Sequence, residues 1–270
     1  MVLTIMVLLD VSMMYHCRNV AKLNRLSAEN TIDTIRAQEV QLKLLNLFQE
    51  WAEKEESYSC YDYLCAWFLT QETGQDSLEW YIDSLREYKE TEFLEYTGYL
   101  KAVWEDLQVF PVPESSVNEE AAVSFGNSWM TPRTFGGNRG HEGTDIMAAI
   151  NERGRYPVIS MTDGVVEKIG WLTQGGYRLG IRAPHGGYFY YAHLYDYARK
   201  FQPGDEICAG ELIGFMGDSG YSEIEGTVGN FDVHLHLGIY VYCSDGTEIS
   251  VNSFWPLKYL ETKKVSSKYY

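Results

Sequence analysis

The chain has 270 residues, 22% of them charged, and 38 Asp and Glu against 22 Lys and Arg leave a formal net charge of −16. That length gives one large domain or two modest ones with ample apolar content for a core. The acidic balance excludes the concentrated cationic surface that a nucleic-acid partner requires. The five cysteines, Cys17, Cys60, Cys65, Cys208 and Cys243, form no CxxC pair. A structural zinc knuckle and a thioredoxin-type motif are thereby excluded, and an odd, sparse set fits no disulfide framework. Pairing of Cys60 with Cys65 or of Cys208 with Cys243 stays open beside unpaired thiols.

In chain order, the opening "MVLTIMVLLDVSMMYHC" is apolar apart from Asp10 until His16. It falls short of the roughly 20 residues that span a bilayer, and it lacks the basic start and small-residue cleavage site of a secretory signal. Residues 1–20 read as the remnant of a membrane anchor, a tether at the N-terminus, with a buried N-terminal helix as the alternative. A helical region follows over 21–108. Its first part, 21 to about 55, carries Leu23, Leu26, Ile32, Ile35, Val40, Leu44, Leu45, Phe48 and Trp51 at spacings of three and four, without Gly or Pro. Further on, "DSLEWYIDSLREY" opens with Asp76 and Glu79 in capping-box spacing and presents Leu78, Tyr81, Ile82, Leu85 and Tyr88 on one face. This aromatic stripe reads as core rather than as a ligand site.

"VFPVPESSVNEE", residues 109–120, ends the helical pattern and reads as a linker. Over 121–262 glycine becomes frequent, and short alternating runs predict a β-rich domain: "GVVEKIGW", "YRLGIRAP", "YFYYAHL" and "ELIGFMG". "HGG" and "SDGT" separate pairs of runs as hairpin turns do. The fold class predicted for the whole is α+β, with helices first and a β-rich domain second.

The chemistry-bearing residues gather in that second part. "FDVHLHLGIYVY" places His234 and His236 two apart on a strand, so both imidazoles share one face while Leu235, Leu237 and Ile239 take the other. "RGHEGTDIMA" supplies His141 and Asp145, and its glycines favour an extended, tightly turned segment. "YYAHLY" supplies His193 at the end of an alternating run. Catalytic zinc needs three protein ligands and an open position for water, with a base or electrophile beside it. Two histidines and one aspartate fill three ligand positions and leave two histidines over. Each motif alone has a bland explanation, as a turn or a satisfied core histidine. Their joint occurrence in one β-rich half points to a metal-assisted hydrolase. His185, in "APHGGY", reads as a turn residue, and Arg139, Tyr190 and Tyr191 as a surface arginine and packing tyrosines.

The stretch from Phe135 to about Trp255 resembles the lysostaphin/LytM-type zinc metallopeptidases. The resemblance is carried by "FGGNRGHEGTD", "MTDGVVEKIGW", "YFYYAHL", "GDEICAGELIGFMGDSGY" and "VHLHLGIY", nearly half the chain. It implies an antiparallel-sheet groove of the duplicated hybrid motif type and a peptidase domain over 121–262. It implies Zn2+ as cofactor, held by His141, Asp145 and His236, with His193 and His234 serving catalysis. Its implied substrate is a peptide of bacterial cell-wall peptidoglycan, which fits an extracytoplasmic protein. Three other readings are open. One is a non-catalytic scaffold or activator in cell-wall remodelling on the same fold, although no ligand is lost here. A sugar-phosphotransfer carrier shares the "GDxxxxGxxIGxMG"-like turn at 204–217 but needs no HxxxD. A cupin-type barrel would need a glutamate shortly after His236, and none is there.

Overall fold

The computed structural model describes residues 2–24, 28–54 and 56–270. Among them the helices α1 (Val2–Asn24), α2 (Ala28–Ala37), α3 (Leu42–Lys54), α4 (Cys60–Thr70), α5 (Gln75–Tyr88) and α6 (Glu90–Trp104) come first. Among the described residues the continuous helix expected from 21 to about 55 is broken between α2 and α3, and Leu26 lies outside those residues. The break has a clear cause. Gln38 takes a left-handed backbone (φ 51°), and its fully buried amide donates to the Ile35 carbonyl (2.6 Å) and accepts from the Trp104 indole (2.5 Å). A buried amide satisfied from another helix outweighs the local preference to continue. The capping box also lies elsewhere than expected. Ser59 caps α4 reciprocally with Asp62, whereas α5 starts at Gly74 without a side-chain cap. There Glu79 accepts from Tyr63 and Gln75. Leu78, Tyr81, Ile82 and Leu85 are buried as predicted, but Tyr88 is half exposed.

The anchor expected over residues 1–20 is not supported. Among the described residues no helix is long and apolar enough to cross a membrane. In α1 the apolar run is interrupted by Asp10, His16 and Arg18. All five cysteines are free thiols.

After α6 the chain runs through short strands β1 (Glu114–Ser115), β2 (Val123–Phe125), β3 (Pro132–Arg133) and β4 (Arg139–Gly140) into β5 (Thr144–Ala148) and β6 (Pro157–Ile159). The long strands are β7 (Gly164–Leu172), β8 (Gly176–Arg182) and β9 (Tyr188–Tyr197), followed by β10 (Glu206–Ile207), β11 (Leu212–Met216), β12 (His234–Tyr242) and β13 (Glu248–Val251). A short helix α7 (Phe254–Leu260) and β14 (Ser266–Ser267) close the chain. The main sheet is antiparallel, in the order β10-β7-β8-β9-β12-β5-β2, with β11, β6 and β13 joined at its sides. "HGG" and "SDGT" are the turns of the β8–β9 and β12–β13 hairpins.

Leu179, Ile181, Phe189, Tyr191, Leu235, Leu237 and Ile239 fill the face of the sheet turned to the core, in one cluster with the buried face of the helices. The two parts are also tied by polar contacts. Arg36 donates to the Ser250 carbonyl (2.9 Å), Asp106 accepts from the backbone and ring of His185 (both 2.8 Å), and Glu95 accepts from the Ser244 backbone (3.0 Å). The passage at 109–120 is itself packed. Phe110 and Val112 are buried, and β1 pairs with β14. The opposite face of the sheet is left open, and it carries the polar residues.

Candidate active site

Register brings the first two groups together. In the β12–β5 ladder His236 stands opposite Asp145, and on its other side His236 stands opposite Ala192 of β9. His141 enters from the segment just before β5. The donor atoms form a nearly equilateral triangle: His141 Nε2 is 3.0 Å from Asp145 Oδ1 and 3.0 Å from His236 Nδ1, and His236 Nδ1 is 2.9 Å from Asp145 Oδ1. Among the described residues this is the one group of at least three His, Cys, Asp or Glu whose donor atoms converge as a metal ion requires.

The surroundings fix this triangle. The Nδ1 of His141 lies 2.9 Å from Ser128 Oγ and 3.3 Å from the Ser128 carbonyl. Since a carbonyl only accepts, Nδ1 carries the proton and Nε2 turns its lone pair inward. Arg133 holds the other carboxylate oxygen of Asp145 at 2.7 Å. Gly143 makes room for the approach, because a Cβ there would lie 2.6 Å from the His236 ring and 2.7 Å from the Leu237 carbonyl oxygen. Burial alone would raise the Asp145 carboxyl, but the adjoining imidazoles, chiefly His141 and His236, hold it well below the usual carboxylate range. Burial pushes His236 down. Three lone pairs thus meet at about 3 Å in a poorly solvated place, an arrangement that repels itself unless a cation sits among them. Donors on tetrahedral zinc, with bonds of about 2.0–2.1 Å, stand roughly 3.3 Å apart. The donor set and its spacing fit a zinc ion.

His193 and His234 lie beside this group. Alternation along β9 would send His193 into the core with Tyr191, but its backbone is left-handed (φ 61°), which breaks the alternation. Its ring centroid is 4.7 Å from that of His234 and 5.9 Å from that of His236. The Nδ1–H of His193 donates to the Ser219 carbonyl (2.8 Å) and that of His234 to the Asp232 carbonyl (2.7 Å), so both keep a basic Nε2. Burial, with the charges of His234 and His236 adding to it, holds His193 well below the ordinary histidine range. Phe231 and Tyr221 wall this side, and Phe135 stacks on Tyr221 at 4.5 Å. A cleft of about 450 Å³ runs from His141, His193 and His236 past Tyr190, Tyr188 and Tyr240.

All five predicted site residues therefore converge. Tyr190 and Arg139, read from sequence as packing and surface residues, line the cleft. Tyr191 is a packing residue, its hydroxyl accepting from the Met161 backbone. His185 sits at the β8–β9 turn on Asp106. Ser128, Arg133, Ser219 and Asp232 do not stand out in the sequence: Ser219 and Asp232 act through backbone carbonyls, which any residue type supplies, and Ser128 and Arg133 lie outside the histidine motifs.

A crystal structure of a Ruminococcus gnavus protein, named as a candidate glycyl-glycine endopeptidase lytM, is 39% identical to this chain. It covers 88% of this chain and 94% of that one, with a TM-score of 0.72. The model of peptidase family M23 matches residues 139–250. The chain belongs to peptidase family M23. The matched residues of this M23 chain contain the whole His141–Asp145–His236 group together with His193 and His234. The L-Ala–D-Glu endopeptidase of Bacillus subtilis (strain 168) is 44% identical over 117 residues, which are 43% of this chain and 34% of that protein. The match thus spans about a third of the length of that curated relative. The catalytic domain of lysostaphin from Staphylococcus simulans is 27% identical, over 55% of this chain and 99% of that domain, with a TM-score of 0.38.

Proposed function

We propose that this M23 chain is a zinc-dependent endopeptidase that hydrolyses peptide bonds in bacterial cell-wall peptidoglycan and acts outside the cytoplasm. The observation that carries the reading is the convergence of three metal donors with the two further imidazoles of His193 and His234 beside them, at a cleft lined by His141, His193 and His236. Both of the more similar relatives are named for cleavage of a peptide bond. In this reading residues 121–262 form the peptidase domain, joined through 109–120 to the helical region 21–108.

His141, Asp145 and His236 would hold the zinc ion, which supplies Lewis acidity toward water and toward the scissile carbonyl. The protein residues do the rest. His193 and His234, oriented through Nδ1 by the Ser219 and Asp232 carbonyls, keep an unprotonated Nε2 beside the metal group, and one of them accepts the proton of the attacking water. The resulting imidazolium is disfavoured at the buried His193, so the proton passes readily to the leaving amine, which completes cleavage of the C–N bond. The aromatic wall of Phe231 and Tyr221 excludes bulk water from that transfer.

The test uses the full chain on purified peptidoglycan, with turbidity as the readout and mass spectrometry of the released fragments. The reading predicts clearing that a chelator stops and zinc restores, with new amino termini in the fragments. Intact peptidoglycan in the presence of zinc-loaded protein would refute it and favour a non-catalytic scaffold on the same fold.

A further inference from the structure

Beyond the metal group, the cleft has a second chemical character. Its lining also includes Arg139, Lys168 and Arg178, with Glu142, Glu248 and the rings of Tyr188, Tyr190 and Tyr240. The cations differ in how they are neutralised. Lys168 lies 3.6 Å from Glu167 and 3.9 Å from Glu248, and Glu248 is also paired with Arg182 at 3.3 Å. Arg139 and Arg178, by contrast, have no carboxylate within ion-pair distance among the described residues. Each also has a buried guanidinium nitrogen without a hydrogen-bond partner, Nε in Arg139 and Nη1 in Arg178. In a chain of net charge −16, two arginines left unpaired in a cleft are conspicuous. A buried guanidinium N–H with no acceptor is costly, and the cost is removed when a ligand brings the acceptor.

Both arginines line the same cleft as Tyr190 and the metal-group histidines His141 and His236. Tyr190 itself packs edge-on to His236, with ring centroids 6.0 Å apart. The unsatisfied cations therefore share one cleft with the metal group. Sheet geometry keeps this space open. Arg178 lies on β8, whose Gly180 is opposite Tyr190 in the ladder, and a Cβ at Gly180 would collide with the Tyr188 hydroxyl. Without a side chain at Gly180 the tyrosines lie low and leave the arginines facing the cleft.

We propose that Arg178 and Arg139 form a carboxylate-binding subsite, so that this enzyme selects peptides bearing a free carboxylate on a residue adjoining the scissile bond over uncharged, glycine-only peptides. This rests on the endopeptidase reading and adds the substrate class. Arg178 is the principal specificity residue because its orphan is a terminal nitrogen, one edge of the fork that grips a carboxylate. Arg139, which makes only a 3.5 Å contact to the Gly140 carbonyl, closes on the same group.

The test uses the full zinc-loaded chain and three synthetic peptides: L-Ala-γ-D-Glu-L-Lys, the same peptide with the glutamate carboxylate amidated, and pentaglycine. The expected kcat/KM for the free acid exceeds that for the amide by at least about tenfold, the scale of one charge-assisted hydrogen bond, with the difference mainly in KM. Pentaglycine is the poorest substrate. In Arg178→Gln the acid-to-amide ratio falls to near one, and Arg178→Lys recovers part of it. Equal rates on acid and amide in the parent, a preference for pentaglycine, or a ratio unmoved by Arg178→Gln would overturn the subsite. Calorimetric binding of the acid and the amide to zinc-loaded His193→Ala separates this from failure of the endopeptidase reading. Tighter binding of the acid that is lost on adding Arg178→Gln supports the subsite even if no peptide is cut. Equal binding of the two rejects it.

Discussion

Replacing Gly143 by Ala tests how tightly the metal group depends on the close approach of β5 to β12. The new Cβ would lie 2.6 Å from the His236 ring and 2.7 Å from the Leu237 carbonyl oxygen, where ordinary contact begins at 3.4 Å. The ring can swing aside, but the carbonyl cannot. It belongs to a strand paired on both sides, and it accepts the Ser253 hydroxyl at 2.9 Å. The segment carrying His141 and Asp145 must therefore withdraw by about 0.7 Å, the shortfall from ordinary contact. That is a large fraction of a donor triangle whose sides measure 2.9–3.0 Å. Overpacking of this kind costs about 1–3 kcal/mol. If it falls on closure of the donor triangle, zinc affinity drops about 5- to 150-fold. Competition against a chromophoric chelator measures the affinity, and far-UV circular dichroism checks that the sheet is intact. A folded Gly143→Ala variant that binds zinc within twofold of the parent would refute this reasoning.

Three further outcomes follow from the same geometry. Ser128→Ala removes the hydroxyl 2.9 Å from His141 Nδ1 and is expected to weaken zinc binding about tenfold, as loss of a ligand-orienting partner does; unchanged affinity in the same chelator competition would show that the hydroxyl orients nothing. His193→Ala is expected to abolish peptide cleavage while leaving zinc bound, and loss of the metal in that variant, measured by elemental analysis, would overturn the division of roles. The depressed pKa of His193 also gives a sign for acid stability: below pH 6.5 the unfolded imidazole takes up a proton that the folded one refuses, so stability falls as pH falls. Between pH 7.5 and 5.5 the metal-free parent should lose roughly 1 kcal/mol more than His193→Gln in urea unfolding, and equal losses would contradict that burial.

Sequence and structure agree most closely where local geometry decides. His234 and His236 share a face because strands alternate, and that needs no knowledge of neighbours. The hairpins at "HGG" and "SDGT" are equally local. What placed Asp145 opposite His236 is the β12–β5 register, a long-range fact that no spacing within one strand contains. His193 is the sharpest case, because the strand pattern around it predicts the wrong face and only its left-handed backbone turns it to the site. The single helix expected over 21–55 failed for a related reason. Its break at Gln38 depends on Trp104, 66 residues away in sequence. Ser59 and Asp62 did carry the capping pattern in plain view, yet Asp76 and Glu79 matched it as well, and only the packing of Glu79 against Tyr63 separates the two.

The most direct measurement is anomalous diffraction at the zinc edge from crystals of the full chain grown with one equivalent of zinc. The expected result is one strong peak per chain, within about 2.0–2.2 Å of His141 Nε2, Asp145 Oδ1 and His236 Nδ1, with His193 and His234 beside it and unbound. A chain that takes up no zinc, or a peak held by other residues while those three atoms stay apart from it, would contradict the assignment of this cleft as a metallopeptidase centre.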